Sequence, residues 1–165
     1  MRKVKIEKVT LNVGCGDDAQ KIERAQKLLE MLTDRKPIIT RSKRRSTFGV
    51  TKGKPIGAMV TLRGEKAEEV LKLALTGVEN KLKASQFNED GNFSFGVHEY
   101  IDLEGVKYKH EIGVLGFDVA VTLARPGFRI AKRKVCRRSI PKKHKVNKDE
   151  AINWIKEKFG VEMIE

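Results

Sequence analysis

The chain has 165 residues, 39% hydrophobic and 35% charged, with a formal net charge of +13. That is enough for one domain with a modest core under a heavily charged surface, and no run of about 18 apolar residues exists to cross a membrane as a helix. The charge is segregated: residues 41–54 and 129–145 together hold 15 of the 35 cations and no acid, while the remainder carries a net −2.

The N-terminal MRKVKIEKVTLNVG alternates apolar and charged residues. It lacks the continuous apolar stretch of a signal peptide and reads as mature structure. Within it KVTLNVG predicts a half-buried strand, with Val9, Leu11 and Val13 on one face. GCGDDAQ turns the chain, and Asp17 or Asp18 caps a helix whose stripe is Ile22, Ala25, Leu28, Leu29 and Leu32. The stripe ends near Thr33–Asp34, and Lys36–Pro37 opens an extended segment, PIITRSK. A basic arm follows. PIGAMVTLRG then alternates Ile56, Ala58, Val60 and Leu62 as another strand.

GEKAEEVLKLALTGVENKL predicts one long helix, with Ala67, Val70, Leu71, Ala74, Val78 and Leu82 on one face. Its acids, Glu65, Glu68 and Glu69, sit at the positive end of the helix dipole, and Lys81 and Lys83 at the negative end. Asp90–Gly91–Asn92 is a turn between that helix and two further strands, GNFSFGVHEY and GFDVAVTLARPG. A short cationic helix from Arg129, a loop at Ile140–Pro141 and a last helix, DEAINWIKEKF, complete the chain. Asn147 and Glu150 are expected to cap that last helix and Gly160 to stop it. The order suggests an α+β fold: helices packed on one face of a mostly antiparallel sheet, with a long basic loop. Residues 1–165 read as a single domain, with the arm at 44–54 and a basic extension at 129–165.

Catalytic signals are weak. His98–Glu99 as an acid/base pair is outweighed by a surface role, and Cys136 with His144 has no second pair to complete a zinc site. NVGCGD lacks the residues of a dinucleotide or phosphate loop. Cys15 and Cys136, far apart in a chain with no sign of secretion, are expected to be reduced. No metal, no cofactor and no enzyme activity is expected.

The arm is more informative. Arg41, Lys43, Arg44, Arg45, Lys52 and Lys54 suit phosphate neutralisation, and Ser42, Ser46, Thr47 and Thr51 supply hydroxyl donors. Phe48 suits stacking on a base, while Gly49 and Gly53 leave room for close backbone approach. With no helix-turn-helix, zinc-finger or basic-zipper pattern, the composition favours shape-and-phosphate binding of structured RNA. The competing readings are an RNA-processing enzyme built on His98 and Glu99, a general DNA-compacting protein, and a membrane-surface protein. The last lacks an apolar helix face of the lipid-binding kind.

The ordered set LNVG, KPIITRSKRR, FGVTKGKPIG, VTLRG, GNFSFGVHE and RPGFR resembles the universal large-subunit ribosomal protein five family, which binds 5S ribosomal RNA. The resemblance covers essentially the whole chain. The stretch from Arg125 through the Trp154 helix is similar to the archaeal and eukaryotic branch, and the short N-terminus is similar to archaeal members.

The resemblance implies a cytoplasmic, non-catalytic constituent of the large subunit that helps attach 5S RNA in the central protuberance. It implies 5S RNA contacts at Asn12, Thr40, Arg41, Ser42 and Lys43. It implies a loop toward the peptidyl-site transfer RNA from Arg44, Arg45, Ser46, Thr47, Phe48, Gly49, Val50, Thr51 and Lys52. Further ribosomal RNA of the 23S type is expected at Arg129, Lys132, Arg133, Lys134, Arg137, Arg138, Lys142, Lys143 and Lys145. A neighbouring 5S-binding protein and a small-subunit head protein are the implied protein partners, the latter through a bridge for which residues 105–116 are candidates.

Overall fold

A computed structural model describes residues 1–45 and 49–164. Its longer strands are β1 (Lys5–Gly14), β2 (Ile38–Arg41), β3 (Pro55–Leu62), β5 (Phe93–Val97) and β6 (Phe117–Ala124). They form a five-stranded, wholly antiparallel sheet of order β2-β3-β1-β6-β5. Three-residue strands β4 (Lys81–Lys83) and β7 (Glu162–Ile164) pair in parallel as a separate ribbon.

Alternation decides which way each central strand faces. Val9, Leu11 and Val13 of β1, Ala58, Val60 and Leu62 of β3, Phe117, Val119, Val121 and Leu123 of β6, and Phe93, Phe95 and Val97 of β5 are all buried. Helices α1 (Ala19–Thr33) and α2 (Glu65–Thr76) join the same core through Ala25, Leu28, Leu29, Ala67, Leu71, Ala74 and Leu75. The layer is therefore α+β, as expected, with the helices on one side of the sheet.

Local chemistry fixes the ends of α1. Asp18 is its cap, its Oδ1 accepting from the backbone N–H of Gln20 at 3.0 Å and of Lys21 at 3.3 Å. Asp34 closes it with a left-handed φ of 50°.

Three expectations are corrected. The second helix stops at Thr76, not near Leu82. Gly77 packs where a side chain would meet Leu103 at 2.9 Å, and Glu79 and Asn80 take left-handed φ of 54° and 56°. Leu82 is buried from β4, and Lys81 and Lys83 belong to that strand and not to a helix end. Asn147 is the N-cap of α4 (Lys148–Phe159) but makes no side-chain capping bond, and Glu150, expected to complete the cap, pairs with Arg125 at the exit of β6. The strand expected to run on through His98 and Glu99 ends at Val97.

The last helix otherwise follows its pattern. Ala151 and Ile155 are buried, Ile152, Trp154 and Phe159 are partly so, and Gly160 ends it at φ 66°. The cationic helix α3 is one turn, Arg129–Lys132.

Candidate nucleic-acid interface

The face of the sheet away from α1 and α2 carries the alternate positions of each strand. Because partners in adjacent strands point the same way, the register sorts these residues into rows. One row crosses all five strands: Ile38, Met59, Asn12, Asp118, Gly96. Beside it run Thr61, Thr10, Ala120 and Ser94, and on the other side Thr40, Gly57 and Gly14. Side chains here are small, short or uncharged, apart from Asp118 and the nearby Lys8. The surface carries the hydroxyls of Thr10, Thr40, Thr61 and Ser94 and the amide of Asn12 among glycine, alanine, Ile38 and Met59.

Gly57 leaves one position of this face without a side chain. A Cβ there would run into the Val13 carbonyl oxygen and stand 3.1 Å from Thr40 Oγ1. Only hydrogen fits where Thr40 crosses β3.

The sequence-proposed 5S residues divide on this face. Asn12 and Thr40 lie on the helix-free side, in adjacent rows. The pairing of β2 with β3 slips between Thr40 and Arg41, so that Arg41 opposes Pro55. Strict alternation is thus lost where Arg41, Ser42 and Lys43 begin the arm. Ser42 still belongs to the hairpin: its N–H donates to Lys54 O at 2.9 Å and its carbonyl accepts from Gly53 N–H at 2.8 Å. Its hydroxyl donates to Arg44 O, which closes the turn into the arm.

Arg41, Lys43, Arg44, Arg45, Gly49, Thr51 and Lys52 are exposed and Val50 is half-buried. Ser46, Thr47 and Phe48 lie outside the described residues. Lys54 is not free for phosphate, because it pairs with Asp17 in the turn after β1.

The second basic segment sits at the opposite end of β1. Lys132 pairs with Glu7, and Lys145 with Asp90 at 2.8 Å. His144 Nε2 donates to the Pro126 carbonyl at 3.0 Å, and its ring lies 5.8 Å from that of Phe128. Arg133 spends its Nε–H on the Cys136 carbonyl at 2.8 Å. Among the described residues Arg129, Lys134, Arg137, Arg138, Lys142 and Lys143 are exposed and form no ion pair.

The two cationic segments therefore bracket the helix-free face. One is anchored just beyond the end of β1 through Asp17, the other near its start through Glu7. At ~3.3 Å per strand residue, the stretch of β1 from Glu7 to Gly14 that separates them spans about 23 Å.

Sequence reasoning missed Asp118, Thr61, Thr10 and Ser94 on this face. The signal was present, since they are the polar members of the alternations whose apolar members marked the core. His98 and Glu99 are both exposed and are not hydrogen-bonded to each other, which gives no basis for an acid/base pair. Among the described residues no cluster of His, Cys, Asp and Glu has the geometry to hold a metal ion.

Comparison with known proteins decides the family. Residues 1–50 match the model for ribosomal protein L5, and residues 55–154 match the model for the C-terminus of the same ribosomal protein family. The chain belongs to the ribosomal protein L5 family. It is similar to the large ribosomal subunit protein uL5 of Sulfurisphaera tokodaii, at 48% identity over all of this chain and 94% of that one. It is similar as well to the uL5 proteins of Methanosphaera stadtmanae, 46% identical over 98% of this chain and 96% of the relative, and Nanoarchaeum equitans, 46% over 99% and 98%. Membership makes the chain a structural, non-enzymatic constituent of the large ribosomal subunit in the cytoplasm.

Proposed function

We propose that this L5 family member binds 5S ribosomal RNA on the helix-free face and helps attach it in the central protuberance. The carrying observation is the bracketing: a face bearing hydroxyls and the Asn12 amide with a cationic segment at each end. Arg41 and Lys43 hold 5S phosphates at one end, where charge-assisted contacts position the RNA, and the cations at the other end face neighbouring ribosomal RNA. Ribose and base edges meet Asn12, Thr10, Thr61 and Thr40 between them. Asp118, beside Asn12 in the register, accepts from a ribose 2′-hydroxyl or a base amine; such a group repels phosphate and so selects how the RNA lies.

Arg41, Ser42 and Lys43 guide the RNA backbone toward the arm. The arm itself, from Arg44 to Lys52, reaches the peptidyl-site transfer RNA, supported by its exposed cations on a hairpin stem. Residues 129–145 hold 23S-type ribosomal RNA through the six unpaired cations. The loop 105–116 bridges to a small-subunit head protein: it exposes Tyr108 and Val114 while Ile112 anchors it in the core. A neighbouring 5S-binding protein completes the assembly.

The test separates the two surfaces. Asn12→Ala with Asp118→Ala should weaken 5S RNA binding by at least tenfold while the protein melts as before. Replacing Arg44, Arg45 and Lys52 with Ala should leave 5S binding within about twofold and weaken transfer RNA engagement in assembled ribosomes. Collapse of 5S binding in the arm variant alone would refute the division.

A further inference from the structure

Between α3 and the extended run 139–141 lies an apolar cleft that the bracketing surface does not use. Pro126 and Ile130 form one wall and Ile140 and Pro141 the other, with Ser139 and His144 as the polar groups at its margin. Its volume, about 360 Å³, is within the range of small-ligand clefts. Ile130 remains 42% exposed, so the apolar surface is open to solvent. Three of the six unpaired cations, Arg129, Lys142 and Lys143, are chain neighbours of its lining residues.

We propose that this cleft takes one unstacked nucleobase of ribosomal RNA; the idea rests on the phosphate-binding role given to residues 129–145. An apolar slot with exposed, unpaired cations next to its lining residues in the chain matches a nucleotide, which is a flat apolar ring tied to an anion. Proline and isoleucine surfaces pack on a ring face without regard to base identity. The cleft, about 360 Å³, is too short to seat an acyl chain, and an apolar peptide would leave the neighbouring cations without a counter-charge.

The edge of the base has partners too. The Pro126 carbonyl can only accept, so the His144 Nε2 carries the proton. In the neutral ring Nδ1 is then an acceptor. Every base presents at least one N–H on its pairing edge, so His144 and the Ser139 hydroxyl accept it without imposing a sequence code. Phe128 and the Pro126 bond hold the imidazole in place.

The experiment uses the full chain and two labelled probes of 12 nucleotides: oligo(U), and a strand of the same length and backbone without bases. Both carry the same phosphates. Oligo(U) should bind roughly tenfold more tightly, the scale of one base packed on a protein surface. Changing Ile130→Ser and Ile140→Ser should bring the two probes within twofold of each other and leave the baseless strand's affinity unchanged.

Equal affinities in the unaltered protein would overturn the inference while leaving the phosphate reading intact. A base preference that persists in the folded variant would overturn it as well. Failure of both probes to bind at low salt would instead refute the phosphate reading beneath it. As an independent measurement, 4-thiouridine in the oligo(U) should crosslink to peptides containing Pro126–Ile130 or Ser139–His144; adducts confined to other peptides would contradict the assignment.

Discussion

The ion pairs of the basic extension imply that equal losses of charge there will have unequal effects on RNA binding. Lys132 and Lys145 are held by Glu7 and Asp90, whereas Arg137 and Arg138 are exposed and unpaired among the described residues. Each phosphate neutralised releases counterions and contributes about −0.7 to −0.9 to the slope of log affinity against log salt. Removing Arg137 and Arg138 should therefore flatten the slope by roughly 1.5.

Removing Lys132 and Lys145 deletes the same net charge, but cations already matched by carboxylates release few counterions from RNA. That slope should change by less than about 0.5. The pairs are partly exposed and their loss should cost the fold no more than about 1 kcal/mol each. Fluorescence anisotropy with a labelled fragment of 23S-type ribosomal RNA, from 50 to 400 mM salt, reads both slopes. If the two double variants flatten the slope equally, net charge alone governs binding, and the distinction between paired and free cations is refuted.

Other perturbations separate fold from surface. Gly57→Ala forces a methyl group against the Val13 carbonyl and Thr40 Oγ1, and should destabilise by about 2 kcal/mol, lowering the melting temperature by several degrees. An unchanged melting curve would mean β1 and β3 are not so closely apposed. Leu11→Ala, at a fully buried site in the central strand, should cost about 3 kcal/mol by denaturant unfolding, and a loss below 1 kcal/mol would contradict its place in the core. Burial, reinforced by the Asp18 carboxylate, pushes the Cys15 thiol above its ordinary value, so less of it is thiolate at pH 8. Iodoacetamide should therefore modify exposed Cys136 first, as mass spectrometry of timed samples would show, and preferential labelling of Cys15 would contradict the packing around β1.

Much of the fold was legible because it is written in local periodicity. The inward faces of β1, β3 and β6 and the stripe of α1 follow from alternation and from helical spacing. The overextended second helix shows where that logic fails. Leu82 keeps a helical interval from Val78 and Ala74, but Gly77 and the left-handed Glu79 and Asn80 redirect the backbone first. Strands β4 and β7 are three residues each and pair across most of the C-terminal half of the chain, so no local signal announces them.

The missed cap has a similar cause. Asn147 holds the N-cap position, but the reciprocal bond from Glu150 is lost because Arg125, distant in sequence, takes that carboxylate. For the interface, the cationic segments stood out by charge alone. Which cations are already committed did not, because Glu7, Asp17 and Asp90 are remote in sequence from the lysines they hold. The helix-free face was half legible: Asn12 and Thr40 came through the family resemblance, while Asp118, readable as the polar partner of its strand's alternation, needed the register to set it beside Asn12.

The most direct measurement compares binding of the purified protein to 5S RNA, an unrelated structured RNA and duplex DNA across one salt series. A hydroxyl-bearing face between two cationic anchors predicts a preference for 5S RNA of at least tenfold that persists above 200 mM salt and disappears with Asn12→Ala and Asp118→Ala. Equal affinity for all three, falling together as salt rises, would mean that the cations bind phosphate without help from the sheet, and would contradict the account.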